Sequence, residues 1–124
     1  MNKPDLPALD ASVLDELLAA VEGDRAFVVD LIEAYLADGV THVAEIESAL
    51  VSADATAVVR PAHTLKSSSA TVGATQLAAT ARALELAGRA GALEEVGDDA
   101  ASLRTAWDQA ATALRAWVGD GDGR

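Results

Sequence analysis

The sequence predicts an all-α protein, an antiparallel up-and-down four-helix bundle with a short additional N-terminal helix. Alanine, the strongest helix former, fills 29 of the 124 positions, whereas only four residues are aromatic. Of the three prolines, two fall within the first seven residues, so most of the chain is free of this helix breaker. The four long helices are joined by connections of only two or three residues, which implies antiparallel neighbours.

Capping residues and glycines divide the chain into five helices. We predict them, in chain order, at residues 10–22, 25–51, 54–72, 75–90 and 92–118. Asp24 and Asp54 are the expected N-caps of the second and third helices, and Gly73 is the expected end of the third. The first helix is too short to be a full member of the bundle, so we expect it to lie over one end.

Two of the helices contain a residue that weakens them. Gly39 in the second helix costs about 1 kcal/mol relative to alanine, which predicts a kink or a loosened turn. Pro61 in the third helix removes one backbone N–H donor, which predicts a kink or a restart of the helix. At the ends, residues 1–8 are expected to form a flexible leader and residues 119–124 a disordered tail, with the helical domain over 9–118.

The composition excludes several classes of function. The 20 acidic residues against 9 basic ones give a formal net charge of −11, which disfavours nucleic acids and anionic membranes as partners. No cysteine is present, so thiolate metal sites, disulfides and cysteine nucleophiles are excluded. The N-terminal residues lack the apolar core of a signal peptide, and no apolar run approaches the roughly 20 residues that span a bilayer. We therefore expect a cytoplasmic protein.

The segment around His63 is the one that carries chemistry. At about 100° per residue, the side chains of the third helix that share one direction, and so face the core, are Val58, Ala62, Leu65, Ser69 and Val72. His63 then lies roughly 140° from this direction, on the outer face of the helix. A neutral imidazole is a competent nucleophile near pH 7, and Lys66, one turn away, can neutralise a phosphoryl group on it.

A carboxylate on the next helix is a candidate partner for this histidine. If the third and fourth helices form a hairpin that turns near residue 74, His63 lies level with Glu85 and Lys66 lies level with Arg82. Glu85 could accept a hydrogen bond from Nδ1–H of His63, which would leave Nε2 as the nucleophile. Alternatively, Glu85 forms only an ion pair with Lys66 or Arg82.

These residues resemble a known family. The thirteen residues AHTLKSSSATVGA, 62–74, are similar to the signature of histidine-containing phosphotransfer (HPt) domains, A-H-x-L-K-[GS]-[SA]-[SA]-x-x-[LV]-G-A. The flanking segments LDASVLDELL and EGDRAFVVDLIEAYL, and the later L-A-x-x-A-R-x-L-E pattern, extend the resemblance over about residues 9–118. The resemblance implies that His63 is the phosphoacceptor and that Lys66 stabilises the phosphoryl group. Ser67 stands where many members have glycine, which implies a contact with the phosphoryl group or an effect on access.

The resemblance also implies the partners. A response-regulator receiver domain and a sensor or hybrid histidine kinase would exchange the phosphoryl group with His63, and the receiver would supply Mg²⁺. We expect this chain itself to hold no metal and no cofactor. It contains no glycine-rich phosphate loop, so it is not expected to make phosphohistidine from ATP. Val59 and Ala70, near His63, are the expected docking residues, and a monomer is expected because each helix has one strong apolar stripe.

Three other interpretations compete with a phosphorelay protein. The bundle could be an interaction module that binds a signalling partner without phosphotransfer, although the presence of His63 and Lys66 disfavours this. A hydrolase that uses the serines at 67–69 is disfavoured because no base and carboxylate are spaced to activate them. The acidic pairs at 94–95 and 98–99 could suggest a metal site, but solvated helix-start charges explain them better.

Overall fold

The computed structural model describes residues 6–121 and shows a bundle of helices. The elements are α1 (Ala11–Ala20), α2 (Arg25–Val51), α3 (Ala55–Thr71), α4 (Thr75–Ala90), a short 3₁₀ helix (Leu93–Val96) and α5 (Gly97–Gly121). Helix α3 packs against α2 and α4, and α5 closes the bundle against α4 and α2. The described residues contain no strand. This arrangement confirms the predicted four-helix bundle with a short additional N-terminal helix.

The two predicted N-caps, Asp24 and Asp54, form, and Asp10 caps the first helix in the same way. Asp10, Asp24 and Asp54 each precede a helix and accept a hydrogen bond from a backbone N–H in its first turn. The backbone N–H of Asp10 also donates to the carbonyl of Gly73, at 2.8 Å, so the start of α1 is tied to the turn between α3 and α4. Gly73 adopts a φ of +83°, a left-handed conformation that glycine takes without strain. The short helix therefore lies at one end of the bundle, as expected.

The last helix differs from the prediction at both ends. The sequence placed its start at 92, but residues 93–96 form the 3₁₀ helix and α5 begins at Gly97. The chain leaves α4 through Gly91, which has a left-handed conformation, and makes one 3₁₀ turn, a common start of an α-helix, before α5 begins. The helix continues to Gly121, beyond the predicted end at 118. The rest of the predicted tail, 122–124, and residues 1–5 of the predicted leader lie outside the described residues.

The two weakened positions do not interrupt their helices. Helix α3 is continuous through Pro61, so the predicted restart there is wrong. Helix α2 is continuous through Gly39, and a methyl group at this position would overlap the indole ring of Trp107. The glycine is thus explained by the close approach of α5 rather than by a break in α2. The Trp107 ring also packs against Tyr35, with 5.7 Å between ring centroids.

A buried polar pair links α2 to the helix that carries His63. The hydroxyl of Tyr35 and Oγ of Ser69 lie 2.7 Å apart, and both residues are buried. Burial raises the pKa of Tyr35 to about 12, while the hydrogen bond with Ser69 acts in the opposite direction. The phenol therefore stays neutral and can donate to Ser69 at any physiological pH.

This pair gives a stability prediction. Removing the phenol oxygen with Tyr35→Phe leaves the Ser69 hydroxyl buried without its partner, so we expect a loss of about 1–3 kcal/mol in the free energy of unfolding. The double variant Tyr35→Phe/Ser69→Ala should lose less than the sum of the two single variants, because no unpaired hydroxyl remains. Urea unfolding at pH 7 measures all three. Strictly additive losses would show that the two hydroxyls do not interact.

Candidate functional site

His63 lies on the outer surface of α3. The five side chains that were expected to face the core are all buried, namely Val58, Ala62, Leu65, Ser69 and Val72. His63 points away from them, and 54% of its side chain is exposed. The helix thus fixes the ring at the surface, where a group on another protein can reach it.

Glu85 on α4 anchors the imidazole ring. Its side chain is only 5% exposed, and its Oε2 lies 2.8 Å from Nδ1 of His63. This is the contact that the hairpin register predicted. The carboxylate therefore holds one nitrogen of an otherwise exposed ring.

Two cations share the same carboxylate. Nζ of Lys66 lies 2.8 Å from Oε1 of Glu85. The guanidinium of Arg89 binds Oε2 through Nη2 at 2.8 Å and through Nε at 3.1 Å. The two alternatives from the sequence, a contact with His63 or an ion pair with Lys66, are both realised at once. In the described part of the chain, Arg82 makes no ion pair with Glu85.

The sequence interpretation missed Arg89. It stands four residues after Glu85 on the same helix, a spacing that brings a glutamate and an arginine together. This spacing was the signal that could have identified it. The guanidinium matters because it binds the same oxygen that accepts from His63.

The electrostatics of the cluster decide which nitrogen of His63 carries the proton. The hydrogen bond from Lys66 is the largest cause that lowers the pKa of Glu85 to about 2, and the hydrogen bonds from Arg89 and His63 lower it further, against the effect of burial. Glu85 is therefore ionised at physiological pH and can only accept hydrogen bonds. Nδ1 of His63 must then be the donor. In the neutral ring this leaves Nε2 unprotonated, with a lone pair available for bond formation.

A glycine brings the two helices close enough for these contacts. A Cβ at Gly88 would lie 2.8 Å from the carbonyl oxygen of Ala55 and 3.0 Å from Cγ2 of Val59. The backbone of α4 thus approaches α3 where a side chain would not fit. This crossing lies about one turn from Glu85 and sets the separation across which His63 and Glu85 meet.

The remaining predicted site residues lie near His63 on the same helix, and within residues 6–121 none of them is hydrogen-bonded to its side chain. Ser67 and Ala70 are exposed on α3, on the C-terminal side of His63. Val59 is half-buried and lines a cleft between α3 and α4 together with Arg60 and Arg89. These positions leave space for a partner above the ring.

The second histidine lies in a different environment. His42 on α2 has its Nδ1 3.5 Å from Oε1 of Glu45, and no lysine or arginine within residues 6–121 pairs with that carboxylate. Its side chain is 24% exposed, less than half the exposed fraction of His63. It is therefore a suitable control for experiments on His63.

The acidic pairs at 94–95 and 98–99 lie along a cleft between α4 and α5. Within residues 6–121, no three histidine or carboxylate side chains are grouped so that they could hold a metal ion. None of the described helices combines the length and the apolar character needed to cross a membrane.

The low pKa of Glu85 predicts how the stability of the fold depends on pH. The carboxyl has an ordinary pKa of 4.5 and a pKa of about 2 in the folded protein. Its ionised form therefore stabilises the fold fully above pH 4.5, and this contribution is lost as the pH falls toward 2. Urea unfolding of the wild type and Glu85→Gln should give a difference in unfolding free energy that is constant near neutrality and changes in favour of the variant at acidic pH. A difference that does not vary with pH would contradict the assignment.

Known proteins share this fold, and a family model matches most of the chain. The family model described as Hpt domain matches residues 30–117. The structure is similar to the crystal structure of histidine-containing phosphotransfer protein B (HptB) from Pseudomonas aeruginosa PAO1. The TM-score is 0.80 at 24% sequence identity, over 92% of this chain and 96% of that chain. At this level of identity the likeness describes the fold. No curated protein matches the chain.

Proposed function

Because this chain belongs to the Hpt domain family, whose members are histidine phosphotransfer proteins of phosphorelays, we propose that His63 is the residue that carries the phosphoryl group. The observation that carries the proposal is the contact of 2.8 Å between Nδ1 of His63 and the buried, ionised carboxylate of Glu85. It holds an exposed imidazole in one orientation and makes Nε2 the nucleophilic nitrogen.

The chemical step forms a nitrogen–phosphorus bond. The lone pair on Nε2 attacks the phosphorus of a phosphoaspartate on the donor, and the bond from phosphorus to the aspartate oxygen breaks. The aspartate leaves as a carboxylate, and the ring gains a positive charge while Nδ1–H stays bonded to Glu85. The negative carboxylate stabilises this charge. In the reverse direction, the aspartate of a receiver attacks the same phosphorus and the ring leaves in its neutral form.

Lys66 and Ser67 are proposed to bind the transferred group. The ammonium of Lys66 is one helical turn from His63 and can reach phosphoryl oxygens, which carry about two negative charges. Glu85 keeps its ion pair with Arg89 if Lys66 moves, so the buried carboxylate is not left without a cation. The exposed hydroxyl of Ser67 can donate a further hydrogen bond to the phosphoryl group.

The proposed partners are a response-regulator receiver domain and a sensor or hybrid histidine kinase. The receiver supplies Mg²⁺, and this chain supplies the positioned nucleophile and a docking surface that includes Val59 and Ala70. Since the phosphoryl group of such a relay originates from ATP, we expect the exchange to take place in the cytoplasm. We propose a monomer, because the large apolar side chains that are exposed in the described part of the chain are spread over two helices. Phe27, Val40 and Val51 lie about 16 Å or more apart along α2, and Leu86 lies on α4.

The test identifies the residue that carries the phosphoryl group. Receiver domains from the source organism are phosphorylated with radiolabelled acetyl phosphate and Mg²⁺, and each is then mixed with the full chain. We expect acid-labile, base-stable label on this protein, a ³¹P signal of a phosphoramidate, and a modified peptide that contains His63. Label on another residue would overturn the proposal. Binding of a receiver without any transfer would favour the interaction module instead.

A further inference from the structure

Basic and acidic residues are concentrated in different parts of the chain. Residues 55–90, which contain α3 and α4, carry four basic residues and one acidic residue, a net charge of +3. The remaining residues carry five basic and nineteen acidic residues, a net charge of −14. The basic residues of the positive segment are Arg60, Lys66, Arg82 and Arg89, and Glu85 is its only acidic residue. The two helices that present His63 are therefore cationic in an acidic protein.

Two of these four basic side chains do not bind the carboxylate of Glu85. Lys66 and Arg89 bind Glu85, whereas Arg60 and Arg82 are exposed and form no ion pair with any residue that the structure describes. A groove on the other side of Arg60 also contains Glu45 and Asp54, but neither carboxylate pairs with it.

The positions of the two free arginines bracket the histidine. Arg60 precedes His63 by three residues on α3, and Arg82 precedes Glu85 by three residues on α4. Because the two helices run antiparallel, Arg60 lies toward one end of the His63–Glu85 pair and Arg82 toward the other. We call the surface formed by Arg60, His63 and Arg82 the arginine-flanked face.

We propose that the arginine-flanked face docks an acidic protein surface, namely the carboxylate rim of a receiver domain's phosphorylation site, and that Arg60 and Arg82 steer and orient this partner. The inference deepens the proposed function and rests on it for the identity of the partner. A receiver that accepts a phosphoryl group on aspartate binds Mg²⁺ through one or two further carboxylates. Because the phosphoryl group adds about two negative charges, this site stays negative although the ion carries a charge of +2. Such a rim is attracted to the arginine-flanked face and repelled by the acidic remainder of this protein, so encounters are directed toward His63.

The proposal predicts an effect on association rather than on the chemical step. Among the described residues, Arg60 and Arg82 form no hydrogen bond or ion pair with His63 or Glu85, so their loss should leave the transfer rate at saturating receiver unchanged. Exposed charges act over a Debye length, which is about 10 Å at 0.1 M salt and about 3 Å at 1 M. The benefit of the two arginines should therefore be large at low ionic strength and vanish at high ionic strength.

The experiment compares charge-matched variants. Arg60→Gln, Arg82→Gln and the double variant each remove charge from the arginine-flanked face, and Arg115→Gln removes the same charge from an exposed position on α5. Transfer from a phosphorylated receiver is measured at about 0.03 M and about 0.5 M salt. At low salt we expect each face variant to lower kcat/KM by about threefold to tenfold with kcat retained, and Arg115→Gln to have a much smaller effect. At high salt all proteins should be similar.

A second measurement separates this inference from the assignment of His63. Binding of the unphosphorylated receivers to each variant is followed by titration at both salt concentrations, which needs no transfer. Weaker binding of the face variants at low salt supports the docking surface even if the label is found on another residue. Equal losses for Arg115→Gln, a fall in kcat alone, or binding by no receiver would overturn the inference.

Discussion

Replacing His63 with glutamine is expected to abolish phosphoryl transfer. Glutamine can still hydrogen-bond to Glu85 and is close to histidine in size, but its amide nitrogen has no lone pair available for attack on phosphorus. We expect a loss of more than about 10³-fold, limited by detection, since no step of the reaction can proceed without the nucleophile. The measurement is the transfer of label from a phosphorylated receiver to the purified variant, with its helical content checked by circular dichroism.

The control is the same substitution at the other histidine. His42→Gln leaves His63 and its contact with Glu85 intact, so this variant should accept label at the wild-type rate. Loss of transfer in His42→Gln with normal transfer in His63→Gln would reverse the assignment of the two histidines.

Replacing Glu85 with glutamine is expected to slow transfer by about tenfold to a hundredfold through the orientation of the ring. The neutral amide can accept from Nδ1–H or donate to Nδ1, so the tautomer of His63 is no longer fixed. It also removes the negative charge that stabilises the ring during attack. Because Glu85 is buried, we expect the loss in kcat rather than in KM.

Nuclear magnetic resonance distinguishes this positioning role from a structural one. In the wild type, the ¹⁵N shifts of neutral His63 should report protonated Nδ1, and in Glu85→Gln they should report a mixture of tautomers. The matched control is Glu45→Gln, which changes the carboxylate beside His42 and should leave both His63 and the transfer rate unaffected. A wild-type tautomer and a wild-type rate in Glu85→Gln would show that the contact with His63 has no role in transfer.

The contact between His63 and Glu85 could be predicted from the sequence, because the register of the α3–α4 hairpin follows from the length of its turn. Pairing by height placed Lys66 level with Arg82, whereas the structure realises the alternative that the sequence also offered, an ion pair of Lys66 with Glu85. Side chains on a helix lean toward its N-terminus, so Lys66 on α3 leans toward the level of Glu85, and Arg89 on α4 leans back toward the same carboxylate. A register that treats side chains as level with their Cα atoms misses both effects.

Contacts between distant helices could not be predicted in the same way. The helical period identified Ser69 as a core residue, and helix propensity identified Gly39 as unfavourable, but neither carries information on the distance between two helix axes. That distance decides that Ser69 meets the hydroxyl of Tyr35 and that Gly39 admits the ring of Trp107. The helical period also could not show that residues 93–96 form a 3₁₀ turn before Gly97, since this depends on how these residues fit between α4 and α5.

The close crossing at Gly88 has a consequence for engineering. A designer who grafts the histidine, lysine, glutamate and arginine onto another helical hairpin transfers the functional groups but not the spacing that joins them. Oε2 of Glu85 reaches Nδ1 of His63 at 2.8 Å across helices that meet where a methyl group would not fit. A recipient scaffold therefore needs a glycine about one turn after its glutamate, although this glycine takes no part in the chemistry.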